Sequence, residues 1–387
     1  MKNDKLSLEE HKKIENLIDL YLRDMTKNKK ILFYFNSMTP AGGIERVIAT
    51  LANKFVQFMD VTILVKDKAY SHYPLDERVK IISLDNEIKF NMYRKLDRVF
   101  EAGKNFIGSQ QKLKRFLKDN QFDYYYIAHP LNALEFHFAR GIDHSVILTE
   151  HGGVDAYNKV YKKIKKWLYP KAKCYSVPTK TDTEIYRKMG FNTVYIPHFK
   201  SQLRYEKAAL ENKIALSVGR MTEAKRQWIL IDLWDRIVNH HNIKDWKLHI
   251  VGDGNLKETY IKKIKDLNLE SYIKILPPQK QVEDYYKQAS LFLLTSQSEG
   301  FGMVILEAMS FGLPCVSYDC PSGPRDMVEN GKTGYLVPFD HFEELEKSTL
   351  ELLQNPQKIK EFGENALEAS NNWNDEFILE KWRDILN

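Results

Sequence analysis

Glu299 and Glu307 stand eight residues apart in LFLLTSQSEGFGMVILEAMSFGLP, the stretch from Leu291 to Pro314. The apolar run Leu291 to Leu294 reads as a buried strand, and a polar turn carrying Glu299 follows. A Gly-Phe-Gly bend then opens a helix that contains Glu307 and stops at Gly312, with Pro314 just beyond. Carboxylates beside such a bend can accept hydrogen bonds from hydroxyl-rich groups such as a ribose and a sugar. The helix terminus, with unpaired backbone N–H groups and a partial positive charge, suits a phosphate. The combination describes a sugar-nucleotide site.

Cations belong opposite it. SVGRMTEAKRQ (217–227) follows a predicted strand and precedes a helix, so Gly219, Arg220 and Lys225 occupy a turn at the carboxyl edge of a parallel sheet. A guanidinium grips a phosphate through two parallel hydrogen bonds, and a lysine adds a compact charge. If a nucleoside diphosphate departs here, negative charge grows as the bond breaks, and preorganised cations favour the transition state over the ground state. In NSMTPAGGIERV, Gly42 and Gly43 begin a helix after the first strand, where residues without side chains let backbone approach a ligand. A plain strand-to-helix turn explains them equally well, and Glu45 either caps that helix or lies near the site. His151, in ILTEHGGVD, ends another predicted strand on the ligand-bearing edge.

These residues need two sheets to carry them. Strand-like and helix-like segments alternate from ILFYFN (31–36) and GIERVIATLANKF (43–55) onward, the pattern of parallel α/β sheets. Further strands are expected at 61–65, 79–84, 124–128, 145–150, 174–178 and 193–197. Between the last two, Thr181 and Glu184 suggest a capping box and Gly190 a stop. HFKSQLRYEKAALENK (198–213) lacks a period and reads as a linker. The strand order then restarts at 214–220, 247–252, 273–278, 291–296 and 314–319. The division expected is 1–29 an extra N-terminal segment (a helix over 7–25), 30–198 an acceptor-binding Rossmann-like domain, 199–213 a linker, 214–370 a nucleotide-sugar domain, and 371–387 a helix returning to the first domain.

The motif Glu299-x7-Glu307 within SEGFGMVILEAMSFGLP, with Gly219-Arg220 and Lys225 upstream, resembles the signature of the retaining glycosyltransferases of family 4, which have the GT-B fold. The resemblance covers most of the chain and is specific from about 214 to 340. It implies two Rossmann-like domains facing each other across a cleft, with a C-terminal helix crossing back. It also implies residue roles: Arg220 and Lys225 on the diphosphate, Glu299 and His151 on the donor sugar, and Glu307 on the ribose. Backbone at Gly300, Phe301, Gly302 and Met303, with Gly42 and Gly43, would complete the donor site. YDCPSGPRDMVENGKTGYLV (318–337) looks like that of UDP-sugar-using members in bacterial envelope and capsular polysaccharide pathways, so the implied partners are a UDP-sugar and a glycan or lipid-linked acceptor. No side chain stands out as a covalent nucleophile, which suits a same-face mechanism.

Other signals narrow the field. At 387 residues with 43% apolar content the chain fits two domains, and no run of apolar residues is long enough to span a membrane. Its start lacks the order of a secretory signal, and three cysteines (Cys174, Cys315, Cys320) form no disulfide or metal spacing, so a cytoplasmic enzyme is expected. The net charge of +6 is small for a nucleic-acid binder. VGDGNLK (251–257) has Lys257 where a dinucleotide fingerprint needs its third glycine, no triphosphatase loop is present, and no Asp-x-Asp pair offers to hold a metal. No cofactor or metal is therefore expected. AYNKVYKKIKKWLYPKAK (156–173) carries seven lysines and no acid, with Tyr157, Val160, Tyr161, Ile164, Trp167 and Leu168 at the spacing of one helical face. That stripe either packs on the first sheet, leaving the lysines solvated, or meets an anionic membrane surface. Basic residues also predominate from Lys89 to Lys118. The rival readings are another GT-B activity, such as a sugar-nucleotide epimerase or a phosphorylase, and a basic, non-enzymatic scaffold or nucleic-acid-binding protein.

Overall fold

Segments such as YYYI (Tyr124–Ile127) and VILT (Val146–Thr149) have every residue buried, so they read as unbroken apolar runs rather than alternating ones. That is what a parallel sheet covered on both faces requires. In the computed structural model, which describes residues 29–86, 95–279 and 281–387, two such sheets form. The first half runs β1 (Lys30–Tyr34), α1 (Gly43–Phe55), β2 (Asp60–Val65), β3 (Lys80–Ser83), α2 (Lys95–Asp119), β4 (Tyr124–Ile127), α3 (Pro130–Ala139), β5 (Val146–Thr149), α4 (Lys159–Leu168), β6 (Cys174–Val177), α5 (Lys180–Lys188) and β7 (Thr193–Tyr195). The second continues with β8 (Ile214–Val218), α6 (Trp228–Asp235), β9 (Lys247–Val251), α7 (Lys257–Asp266), β10 (Ile273–Leu276), α8 (Glu283–Gln288), β11 (Leu291–Leu294), α9 (Met303–Ser310), β12 (Cys315–Asp319), α10 (Pro324–Met327) and β13 (Gly334–Pro338). Three helices follow: α11 (Phe342–Leu353), α12 (Pro356–Ser370) and α13 (Asp375–Leu386).

The strand orders are β3-β2-β1-β4-β5-β6-β7 and β10-β9-β8-β11-β12-β13, with parallel pairing throughout. Each order reverses once, between β1 and β4 and between β8 and β11. Loops leaving those strands therefore diverge and leave a crevice at the carboxyl edge. Segment 35–42 leaves β1, and segments 219–227 and 295–302 leave β8 and β11. These loops carry Gly42, Arg220, Lys225 and Glu299.

Helix α13 returns to the first half. Its Ile378, Trp382, Ile385 and Leu386 share a core with Phe33 and Phe55, and the Trp382 and Phe55 rings meet edge to face at 5.4 Å. Two routine expectations need correction. The cap of α5 is Thr179, whose hydroxyl accepts from Asp182 N, while Thr181 turns outward to donate to Asp326 at 2.6 Å. Strand β13 went unrecognised because Gly334 starts it at φ +154°, packed so closely on Cys315 that a β-carbon would stand 1.9 Å from its carbonyl oxygen. Gly190 (φ +86°) and Gly312 (φ +76°) end their helices as the sequence suggests. The helix expected over 7–25 lies outside the described residues.

Candidate active site at the domain interface

Gly219 follows β8, and the turn it begins rests on two glycines of the β9–α7 loop. A β-carbon at Gly252 would stand 2.0 Å from the Gly219 carbonyl oxygen, and one at Gly254 would stand 2.4 Å from that of Met221. The VGDG segment thus holds the Arg220 turn in place. Gln297 N donates to Ala224 O at 2.8 Å and so joins this turn to the loop leaving β11. Side chains follow: Lys225 Nζ meets Glu299 Oε1 at 2.7 Å, and Ser296 Oγ donates to the same oxygen at 2.6 Å. Lys225 keeps a quarter of its side chain exposed and Arg220 is exposed on the same turn. Gly302 caps α9 in the left-handed region (φ +91°), a conformation that glycine tolerates.

Across the gap, α1 starts at Gly42 and Gly43. A β-carbon at Gly43 would meet nothing within 4 Å, so this helix end opens onto free space. Glu45 folds back over Gly42 and bonds its own backbone N–H. Burial raises its pKa, with the backbone bond and the Arg220 charge opposing. Arg220 is thus felt by the opposite half.

His151 follows β5. Its Nε2 lies 3.0 Å from Thr149 Oγ1 and 3.4 Å from the Tyr126 hydroxyl, and its ring stacks on His198 at 5.3 Å. Burial pushes its pKa down to about 4, against Glu150 and aided by His129, so the imidazole is neutral at pH 7. His198 in turn meets the Phe301 ring edge at 5.1 Å. Gly300 packs so tightly on His151 that a β-carbon would stand 1.9 Å from its carbonyl oxygen. His151 therefore touches the Glu299–Gly302 loop through backbone and through a relay of rings.

Glu307 is 1% exposed. Arg46 Nη1 meets its Oε1 at 2.6 Å, Ser201 Oγ donates to the same atom, and the Tyr286 hydroxyl donates to Oε2 at 2.7 Å. Burial disfavours the Arg46 charge, but Glu307, Tyr73 and Tyr286 together outweigh it and the guanidinium's pKa is raised. The four residues expected to act together therefore divide. Arg220, Lys225 and Glu299 share one crevice, whereas Glu307 pins the two halves through Arg46. Among the described residues, no group of three His, Cys, Asp or Glu side chains is placed to hold a metal ion.

Comparison with known proteins agrees with this architecture. Residues 41–199 match the profile described as Glycosyltransferase Family 4, and 200–369 that of Glycosyl transferases group 1. The chain belongs to the family 4 glycosyltransferases. It is 28% identical over 373 residues to the amylovoran biosynthesis glycosyltransferase of Erwinia amylovora, covering 92% of this chain and 99% of that one. It is 25% identical over 367 residues to a Campylobacter jejuni α-1,4-N-acetyl-D-galactosaminyltransferase acting on a diphospho-undecaprenol glycan, covering 92% and 98%. Among solved structures, Staphylococcus aureus TarM in complex with UDP superposes with a TM-score of 0.75 at 18% identity, covering 93% and 100%.

Sequence reasoning passed over several residues of this glycosyltransferase. Arg46 and Ser201 hold Glu307, and His198 links His151 to Phe301. Glu150 receives backbone N–H bonds from His151 and Gly152, both at 2.9 Å, and pairs with buried Lys165 at 2.6 Å. Burial would raise the Glu150 pKa, but Lys165, Tyr175 and Tyr186 together hold it below the usual carboxylate range. Arg46 lies within GGIERV, one residue after Glu45, and that proximity is the signal the sequence offers.

Proposed function

We propose that this glycosyltransferase moves a sugar from a UDP-sugar to a glycan or lipid-linked acceptor in envelope polysaccharide synthesis, with retention at the anomeric carbon. The carrying observation is the crevice in which Lys225 and Glu299 meet at 2.7 Å beside exposed Arg220, opposite the open end of α1 at Gly43. Arg220 and Lys225 take the diphosphate with the N–H groups at Gly300 to Met303, and Glu299 and His151 take hydroxyls of the donor sugar. Glu307 takes the ribose, whose hydroxyls must displace Arg46 from Oε1 or share that oxygen with it. As the sugar–oxygen bond breaks, the acceptor hydroxyl attacks from the same face and passes its proton to the departing phosphate. Protein cations do the neutralising, so turnover persists in a chelator. UDP is supported by its presence with TarM, and the acceptor class by the activity of the Campylobacter relative. The enzyme would work at the inner face of the membrane as a peripheral protein. Among the described residues no helix is long and apolar enough to cross one.

Thermal shift with UDP-, GDP- and ADP-sugars tests the donor. At about 100 times its Kd a true donor adds about 2.7 kcal/mol to stability, and only the UDP-sugars should do so. Release of UDP only when acceptor is present separates transfer from epimerisation, and an inverted product anomer would overturn retention. In His151→Ala, unchanged turnover at limiting donor would remove that residue from the site.

A further inference from the structure

The lysine-rich helix α4 divides its expected apolar face in two. Ile164 and Leu168 enter the core of the first half, whereas Val160 and Trp167 remain 62% and 48% exposed. Trp167 faces Phe138 at the end of α3, 54% exposed, with ring centroids 6.4 Å apart. Ile107 on neighbouring α2 is 57% exposed, and Gln110 of the same helix donates to the Phe138 carbonyl at 2.9 Å. Three helices of one layer therefore present large apolar side chains to solvent on one side of the first domain.

Cations surround them. A groove between α2 and the end of α3 is lined by Lys114, Arg115, Lys118 and Arg140, with no acidic residue in its wall. The Lys171 ammonium sits 5.0 Å from the Trp167 ring centre. Helix α4 has no acid either, and only its Lys165 turns inward to pair with Glu150. Long basic stems with charged heads in water, around partly buried rings, match a bilayer interface, where rings reach the acyl boundary and lysines meet anionic headgroups.

We infer that the exposed side of α2, α3 and α4 is a docking surface for a membrane rich in anionic phospholipid. Charge decides against the other occupants. A second copy placed symmetrically on this patch would set lysines against lysines, and protein interface cores are depleted in lysine. Helix α4 follows directly on the loop that carries His151, so a surface lying on the membrane here keeps the rim of the cleft near the lipid. The inference extends the reading of a lipid-linked acceptor, but its test uses neither donor nor acceptor, so its failure leaves the proposed transfer standing.

The full chain should be sedimented with phosphatidylcholine vesicles that contain or lack phosphatidylglycerol. Binding is expected only to the anionic vesicles and should weaken with salt. Lys114→Gln and Lys118→Gln should each weaken partition by about fivefold. Phe138→Ser with Trp167→Ser should weaken it by about tenfold. All four side chains are outside the core, and unchanged thermal melting would confirm that these variants fold. Equal binding to neutral vesicles, or no response to either set of substitutions, overturns the assignment. Dimerisation abolished by Phe138→Ser and Trp167→Ser would also overturn it, in favour of a second copy.

Discussion

Lys225 and Glu299 form a largely buried ion pair, with 25% and 9% of their side chains exposed, and the cost of taking two charges out of water offsets much of their attraction. Stability is thus a poor reason for their closeness, and ligand binding a better one. Arg220 is more exposed still and makes no side-chain ion pair among the described residues. Its truncation should leave melting unchanged while Arg220→Ala lowers turnover by about 10²–10³, the scale of losing one preorganised oxyanion partner. A fall under threefold in steady-state rate would contradict the diphosphate role. Arg46 is the opposite case. It faces a carboxylate that is 2% exposed at its side chain, and removing one member of a buried pair strands the other charge. Arg46→Met should therefore lower the unfolding free energy by about 3 kcal/mol in urea titration. Adding Glu307→Gln should recover most of that loss without recovering donor affinity. Recovery of both would show that Glu307 is only a pin between the halves.

At the scale of elements, α5 meets α10 and the turn before it through polar groups: Thr181 donates to Asp326, and Ser322 Oγ donates to Asp182 Oδ2 at 2.5 Å. Burial raises Asp182 to about 6, with the Ser322 bond opposing and Glu150 and Asp326 adding repulsion. A carboxyl raised in the folded state binds its proton more tightly there than when unfolded. Its stabilising contribution is complete below about pH 4 and is lost as pH rises through about 6. A shift of about two units is worth about 3 kcal/mol at most. Asp182→Asn should flatten the stability profile between about pH 4 and 6.5 and exceed the natural protein's stability at pH 8. Urea midpoints across that range would show it, and parallel profiles would refute it. The sequence disclosed the elements themselves well, because fully buried strands such as YYYI and VILT carry their burial in composition. The crevice carrying Arg220, Lys225 and Glu299 was legible too, since strand ends at a sheet reversal bring those loops together. What it hid were contacts between distant segments. Glu307 resembled a free ligand because Arg46, Ser201 and Tyr286 come from three separate stretches. Lys165 resembled one more solvated lysine because Glu150 follows another strand, and α4's apolar stripe resembled one face although only part of it meets the sheet.

The whole molecule depends on how closely the two sheets approach. The donor-side loop presses its Gly300 backbone against His151, and Gly153 of the first half lies against Glu299 O and the Ser322 hydroxyl in the same way. Side-chain ties such as Arg46 to Glu307 act beside these backbone contacts, so the interface is set by glycine positions as much as by charge. A β-carbon at Gly300 would stand 1.9 Å from a carbonyl oxygen of the opposite half, where no flexible side chain can yield. Gly300→Ala should push the halves apart while leaving the crevice of Arg220, Lys225 and Glu299 intact within its own sheet. Since a displacement of about 1 Å can reduce a rate by about 10², turnover should fall by at least that factor while UDP still raises the melting temperature. Gly43→Ala separates the two effects: its β-carbon meets no protein atom and should leave the fold and the approach of the halves unchanged, so a loss of turnover there would report on donor contact alone. If Gly300→Ala retains full turnover, the halves need not meet at His151, and the first domain's contribution to the donor site would have to lie elsewhere.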